Sequence, residues 1–501
     1  KKALMLPLGL ATIGGMIGKG YTLSAVDLNI SALTDDQIRE ADLVLVSAML
    51  IQKVSFYTVI QRCKGLGKPV AVGGPYPTEC VEELAALPDD QRPDFFILDE
   101  GEVTFPLFLK DWEKGTPQPL YRSQEKPSLD RTPIPRFDLF DLKAYNVLPL
   151  QFSRGCPFDC EFCDIVHLFG RVPRTKNPAQ FLTELEPALN LGFKGKVFIV
   201  DDNFIGNRKR VKELLRALIP WQESHGYPVQ FCTEASIDLA KDDELLDLMV
   251  EAGFYMVFLG LETPLEHSLE EAGKVQNLKT DVVESVRKIQ SKGIEVTGGF
   301  IVGFDSDPVD IADHQIRFIE ELAVPTAMVG LLTALPGTRL YDRLVREGRL
   351  LNTPSGNNTH DLQMNFIPRQ PMERLIQSYR KLLKEIYKPK AYFRRCLEFL
   401  NRLPEKVRHS DTFRWGTFSL RNVGILLRSF LKQTFSWYGF SYLSYIFRAL
   451  KRHPDKIVQI VSFAVQGHHL LKLTRRILHT DVSPLFQTVP HVQSRIKYDT
   501  V

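Results

Sequence analysis

The chain has little cysteine, 7 residues in 501, and that scarcity excludes a small fold stapled by disulfides. It lacks any uninterrupted apolar run of the ~18 residues that a membrane-spanning helix needs, and no short-period repeat or low-complexity tract stands out. No apolar segment with a cleavage site follows Lys1-Lys2-Ala3, so no signal peptide is read. An initiator Met is also absent, and the chain is expected to begin inside a domain with an N-terminal piece ahead of it. Histidine does not occur before His167. A net charge of +3 says little about the whole chain, because the basic residues are unevenly spread. What is present is a globular composition, 44% hydrophobic and 25% charged. The length is too great for one ordinary core, so roughly two to four domains are expected.

Within residues 22–100 a unit recurs: a short apolar run, a turn, then a helical stretch. The runs are 22–26, 43–46, 69–72 and 95–98, and each ends in polar or Gly-rich residues. Near-continuous apolar strands alternating with helices predict a parallel sheet covered on both faces. Ligands of such sheets bind beyond the carboxyl ends of the strands. That places Ser47, Gly73-Gly74-Pro75-Tyr76 and Glu100-Gly101-Glu102 among the candidates. Taken alone, Gly73-Gly74-Pro75 is equally well a plain turn.

The predicted fold class is α/β in three parts. Residues 1–111 form a Rossmann-like domain with its first strand missing from the chain. Residues 112–147, with Pro117, Pro119, Pro127, Pro133 and Pro135, read as a linker. Residues 148–340 carry strand candidates at 148–152, 196–200, 229–233, 256–259, 296–302 and 327–332, about six β/α units and hence a partial barrel. Residues 341–501 are expected to be mostly helical.

Three of the cysteines lie within eight positions, in Arg154-Gly155-Cys156-Pro157-Phe158-Asp159-Cys160-Glu161-Phe162-Cys163, directly after a predicted strand. This C-x3-C-x2-C pattern reads as a metal site in a reducing compartment. Three thiolates in one loop can ligate three irons of a [4Fe–4S] cubane and leave the fourth open. The competing reading is zinc, which in structural sites wants four ligands, with His167 as the candidate fourth. Cys63, Cys80, Cys232 and Cys396 are scattered and read as small buried residues.

C-x3-C-x-aromatic-C after the first strand of a β/α series resembles the radical S-adenosylmethionine (SAM) superfamily. The resemblance implies that SAM chelates the open iron and is cleaved reductively to a 5′-deoxyadenosyl radical. It makes Cys156, Cys160 and Cys163 catalytic cluster ligands and puts Phe162 near the adenine. At successive strand ends it nominates Asp201 and Asp202, Glu234 and Ser236, Glu262, and Gly299 for SAM. An α/β domain ahead of such a barrel further resembles the cobalamin-binding class, in the group containing the hopanoid C-2 methylase. Cobalamin would then face Ser47, Gly73, Gly74, Pro75, Tyr76, Glu100, Gly101 and Glu102, without a histidine ligand from this part of the chain. Tyr76, Tyr145 and Arg154 are candidates for lining the space between the cofactors. A degenerate domain that has lost the cofactor is the alternative.

From 388 to 476 the chain carries eighteen Lys and Arg against four Asp and Glu, interleaved with Trp437-Tyr438-Gly439-Phe440 and Tyr445-Ile446-Phe447. A basic helix with an apolar face can lie on an anionic membrane; equally, it can pack that face on the barrel. No RNA-binding module accompanies it, so nucleic acid is not expected. His468 and His469 read as packing or surface residues.

The expected activity is cobalamin-dependent radical SAM methylation of an unactivated carbon in an apolar or amphipathic small molecule, with a lipid such as a hopanoid in view. The alternatives are a cyclase or rearrangement enzyme using the same cofactors, and a non-catalytic cluster or cobalamin sensor. The expected partners are the substrate, a flavodoxin, ferredoxin or reductase as electron donor, and a membrane surface touched peripherally. The expected location is the cytoplasm, at the inner face of a membrane.

Overall fold

A computed structural model describes residues 3–352, 354–357, 359, 362–405 and 420–480. Thirteen strands appear among them. In chain order they are β1 (Ala3–Met5), β2 (Val44–Ser47), β3 (Val70–Gly73), β4 (Phe95–Ile97), β5 (Leu120–Tyr121), β6 (Tyr145–Leu150), β7 (Ser153–Arg154) and β8 (Arg174–Thr175). Then follow β9 (Gly195–Ile199), β10 (Val229–Ala235), β11 (Phe254–Glu262), β12 (Glu295–Val302) and β13 (Ala327–Leu331). The large sheet has the order β1-β6-β9-β10-β11-β12-β13 and is parallel throughout. Its last six strands are the six predicted ones. They form an open barrel because each is followed by a helix that returns the chain to the same end. Several of those helices begin on side-chain caps: Asn177 accepts from the Gln180 N–H, Asp242 from Leu245 and Asp281 from Glu284.

The front unit is a four-stranded parallel sheet, β2-β3-β4-β5. Three expectations about this region fail. The run 22–26 forms no strand, because no neighbouring strand edge pairs with it. Leu120–Tyr121, inside the expected linker, pairs with Phe96 and Ile97 and so completes the front sheet. Ala3–Met5 belongs to the large sheet, where Ala3 pairs with Tyr145 and Met5 with Val147. The helix Leu8–Met16 that follows packs on Gly101–Glu113 of the front unit, so residues 3–16 link the large sheet to that unit.

Helices dominate after the barrel, as expected, although 406–419 and 481–501 of that region lie outside the described residues. Their aromatic face continues the barrel core without a break. They also cover the edge strand β13: the Tyr379 hydroxyl donates to Val329 O, and the Tyr387 hydroxyl both accepts from Ala327 N and donates to Ala327 O. Covering the edge removes a row of unpaired backbone groups. No described helix is long and apolar enough to cross a membrane.

Candidate active site at the carboxyl end of the large sheet

The cysteine loop leaves the end of β6 and is clamped at its base by an antiparallel pair, Ser153 with Thr175 and Arg154 with Arg174. Gly155 enters it with φ +96°, and a side chain there would meet Gly170 O at 2.9 Å. Glycine is therefore required one residue before the first cysteine. Asp201, expected to meet SAM, instead braces this turn. Its carboxylate accepts from Phe152 N, Ser153 N and Ser153 Oγ at 2.7–2.8 Å. Asp202 accepts from Gly155 N at 3.0 Å and keeps its other oxygen for the site.

Cys160 is buried, while Cys156 and Cys163 are half-buried. Burial raises the thiol of Cys156 and pushes that of Cys163 up to about 12. Amide donors stand beside two of the sulfurs: Asn203 Nδ2 lies 3.8 Å from Cys156 Sγ and Gln276 Nε2 lies 3.9 Å from Cys160 Sγ. Such donors suit cluster ligands, whose potential responds to hydrogen bonds at sulfur. Neither was legible as a site residue in the sequence.

Lys274 was missed as well. It pairs with Glu262 at 2.7 Å and lies 5.9 Å from the Phe162 ring centroid. Burial works against its ammonium, but Glu262 and the sulfurs of Cys160 and Cys163 outweigh it, and the pKa is raised. Gly260 makes the room, since a side chain there would come within 2.7 Å of Lys274 Nζ. Glu262 is thereby committed to Lys274. Ser236 is likewise committed, to Asn203 and Asp238, and Gly299 is tucked against the Phe258 ring.

Two of the expected SAM contacts remain available. The Glu234 carboxylate forms no ion pair or hydrogen bond among the described residues; burial and then the Asp202 charge raise it to about 7. Burial raises Asp202 to about 6, with Asp164 adding to the effect. Carboxylates that repel one another in a half-buried mouth call for a cation. Gln276 Oε1 and Asn277 Oδ1 are also buried without a donor. The residues present therefore fit a three-thiolate cluster with an ammonium-bearing ligand beside it. Structural zinc takes four ligands on a single ion. A cubane instead takes each thiolate on a separate iron. His167, the candidate fourth zinc ligand, stands 3.6 Å from Glu79.

The front unit meets this mouth through buried ion pairs. Arg154 binds Glu100 at 2.8 Å and Glu102 at 2.7 Å, and Arg174 binds Glu100 at 2.8 Å. Glu100 and Glu102, expected to face cobalamin, therefore hold the cysteine loop instead. Tyr76 and Tyr145, expected to line the space between the cofactors, have their hydroxyls engaged within the protein. Tyr76 is buried with its hydroxyl 2.9 Å from that of Tyr57, and Tyr145 donates to Asp27 at 3.0 Å. Gly101 packs on Ile13. Left at the strand ends of the front sheet are Ser47 and Pro75, both exposed, and half-buried Gly73 and Gly74. Gly74 has φ +91°, and a side chain there would meet Ser47 Oγ at 2.6 Å, so bare backbone is presented. A cavity of about 400 Å³ opens between the front unit and the barrel, lined by Ile51, Lys53 and Val54 on one side and Thr333, Met364 and Asn365 on the other.

An open parallel barrel with three cysteines in the loop after its first helix-connected strand defines a radical SAM enzyme, and comparison agrees. Residues 150–318 match the radical SAM superfamily, and residues 338–481 match a domain of unknown function, DUF4070. The chain is 33% identical over 482 residues to the hopanoid C-2 methylase of Rhodopseudomonas palustris, covering 94% of this chain and 88% of that protein. It is 47% identical over 395 residues to an uncharacterized methyltransferase of Synechocystis sp., covering 79% of this chain and 73% of the other. The fold resembles that of OxsB, a cobalamin-dependent S-adenosylmethionine radical enzyme solved with aqua-cobalamin and S-adenosylmethionine bound. The TM-score is 0.60 at 16% identity, over 99% of this chain and 79% of that one. The chain belongs to the radical SAM superfamily, in the methyltransferase family that contains the hopanoid C-2 methylase.

Proposed function

We propose that the chain is a cobalamin-dependent radical SAM C-methyltransferase whose substrate is an apolar or amphipathic lipid of the hopanoid class. The observation that carries this reading is the Arg154 junction: one arginine, two residues before Cys156, ties the cysteine loop to the strand-end loop of the front sheet. Two cofactor-binding faces are thereby set against each other, as transfer of a group between them requires. The 33% identity to a hopanoid methylase over nearly the whole chain supports the substrate class. When bound, the cluster and SAM supply a hydrogen-abstracting radical and cobalamin carries the methyl group.

The chain's own residues bind, orient and exclude water. Cys156, Cys160 and Cys163 hold the cluster. Asp202 and Glu234 take the SAM ammonium, a charge-assisted contact, and Phe162 with Lys274 walls the adenosyl side. Ser47, Gly73, Gly74 and Pro75 offer a flat backbone surface on which a corrin ring can lie. Ile51 and Val54, both exposed and lining the 400 Å³ cavity, give an apolar approach for the substrate. Electrons come from a flavodoxin, ferredoxin or reductase, and a lipid substrate places the enzyme at the inner face of a membrane.

The test is anaerobic turnover of the reconstituted chain with SAM, reductant and a detergent-dispersed hopanoid. The expected products are the singly methylated hopanoid with S-adenosylhomocysteine and 5′-deoxyadenosine in equal amounts. A rearranged product with 5′-deoxyadenosine and no S-adenosylhomocysteine would establish the cyclase or rearrangement alternative instead.

A further inference from the structure

The helix Gly439–Arg452 has two apolar faces, and only one of them is used. Tyr442, Tyr445 and Ala449 are buried against the neighbouring helices, where Tyr445 stacks on Phe393 at 4.8 Å. Phe440, Leu443, Phe447 and Leu450, spaced three, four and three residues apart, form a second stripe that faces solvent. Phe440 is 89% exposed and Phe447 70%. Apolar residues at that spacing share one side of a helix, and a globular protein has no reason to leave such a stripe bare.

The surface continues in both directions. At one end Leu450 also borders a groove of about 180 Å³ between three helices, lined by Phe430, Ile446, Ile457, Ile460 and Val465. At the other end the turn before Gly439 presents Phe435, 84% exposed, and Trp437, 58% exposed. Arg475 lies 5.9 Å from the Trp437 ring centroid. Lys432 and Lys472 converge on His468 and, after burial, hold its pKa down.

Charge decides what covers this face. Residues 420–480 hold ten Lys and Arg and one acid, Asp455. In the barrel cations are paired, as where Arg343 and Arg349 meet on Asp305. Among the described residues from 427 to 480 none forms an ion pair. A second copy of the same face would be repelled by like charge. Exposed aromatics beside unpaired cations match an anionic bilayer, whose headgroup region takes the rings while its surface potential attracts Lys and Arg.

We propose that the 420–480 helices form a membrane-docking surface for anionic lipid, with Phe435, Trp437, Phe440 and Phe447 entering the headgroup region and Lys432, Lys451 and Arg475 meeting the phosphates. Docking is independent of the cofactors, so it stands or falls separately from the methylation reading.

The test is flotation of the full chain with phosphatidylcholine vesicles made with or without phosphatidylglycerol. Binding is expected only to the anionic vesicles, weakening as salt rises. Joint replacement Phe440→Ser and Phe447→Ser removes exposed rings from no core and should weaken partition at least about tenfold. Joint replacement Lys432→Glu and Arg475→Glu should weaken it by roughly tenfold or more, while the melting temperatures of both variants stay near that of the parent. Flotation that ignores lipid charge, or that survives both double replacements, would overturn the proposal. So would a concentration-dependent dimer, or RNA binding, that the same replacements abolish while vesicle binding is missing.

Discussion

Replacing Cys160 with alanine is expected to abolish 5′-deoxyadenosine formation, a loss of roughly a thousandfold or more, because the cofactor and not the side chains carries the hard chemistry. Cys160 is the most buried of the three loop cysteines, and Gln276 donates toward its sulfur. Its neighbour Glu161 is held from two sides, its N–H donating to Ala272 O and its carbonyl accepting from Leu340 N. The backbone of the loop therefore has no freedom to bring another ligand into the vacant place. Cys160→Ser is expected to fail as well, since a hydroxyl is a poor substitute for a thiolate at iron. The measurement is the nucleoside released under reduction, with iron content determined on the same sample. Retained cleavage in Cys160→Ala would remove the cluster assignment altogether.

The second large effect concerns stability and the joint between the two sheets. Arg154→Ala leaves Glu102, its side chain 5% exposed, buried without a cation, and leaves Glu100, 1% exposed, with Arg174 alone. Breaking a buried pair by removing one partner costs about 3–5 kcal/mol. Burial pushes the Glu102 carboxyl up, but the hydrogen bond and charge of Arg154, with hydrogen bonds from its own backbone and Thr132, together outweigh it and the pKa is lowered. A group so depressed contributes stability above its unfolded pKa and loses it as the pH falls through the folded one. The parent chain should therefore lose part of its stability on acidification below the ordinary carboxylate range, and Arg154→Ala should lack that component. Arg174 still reaches Glu100, so the variant is expected to fold with a lowered melting temperature. Arg154→Lys should restore only part, because one ammonium cannot serve two carboxylates in a fork. A variant melting like the parent at neutral pH would show that the junction holds nothing together.

The cysteine loop was legible because its chemistry is local: three ligands in one turn, after an apolar strand, need no knowledge of the rest of the fold. The six barrel strands were legible for a related reason, since strands covered on both faces are apolar nearly throughout. Where pairing decides, the sequence was less informative. The run 22–26 has strand-like residues but no neighbour to bond with, whereas Leu120–Tyr121 looks like linker and becomes a strand because the edge of β4 is free to receive it. The acids at the end of β9 show the same limit. Asp201 and Asp202 were nominated together for SAM, yet both accept from the base of the cysteine loop, Asp201 from Phe152 and Ser153 and Asp202 from Gly155. The ion pairs of Glu100 and Glu102 were not legible because their partners lie more than fifty residues away, and a buried ion pair between sheets leaves no periodic trace. Lys274 follows Gly273 in a stretch without a motif, and only the fold brings it to Glu262 and the cysteines.

The most direct test of the central claim is a metal count after anaerobic reconstitution with iron, sulfide and hydroxocobalamin. Three thiolates on an open cubane, set against a corrin-binding surface, predict about four irons and about one cobalt per chain. Iron without cobalt would contradict the role given to the front sheet, and bound zinc in place of iron would contradict the site itself.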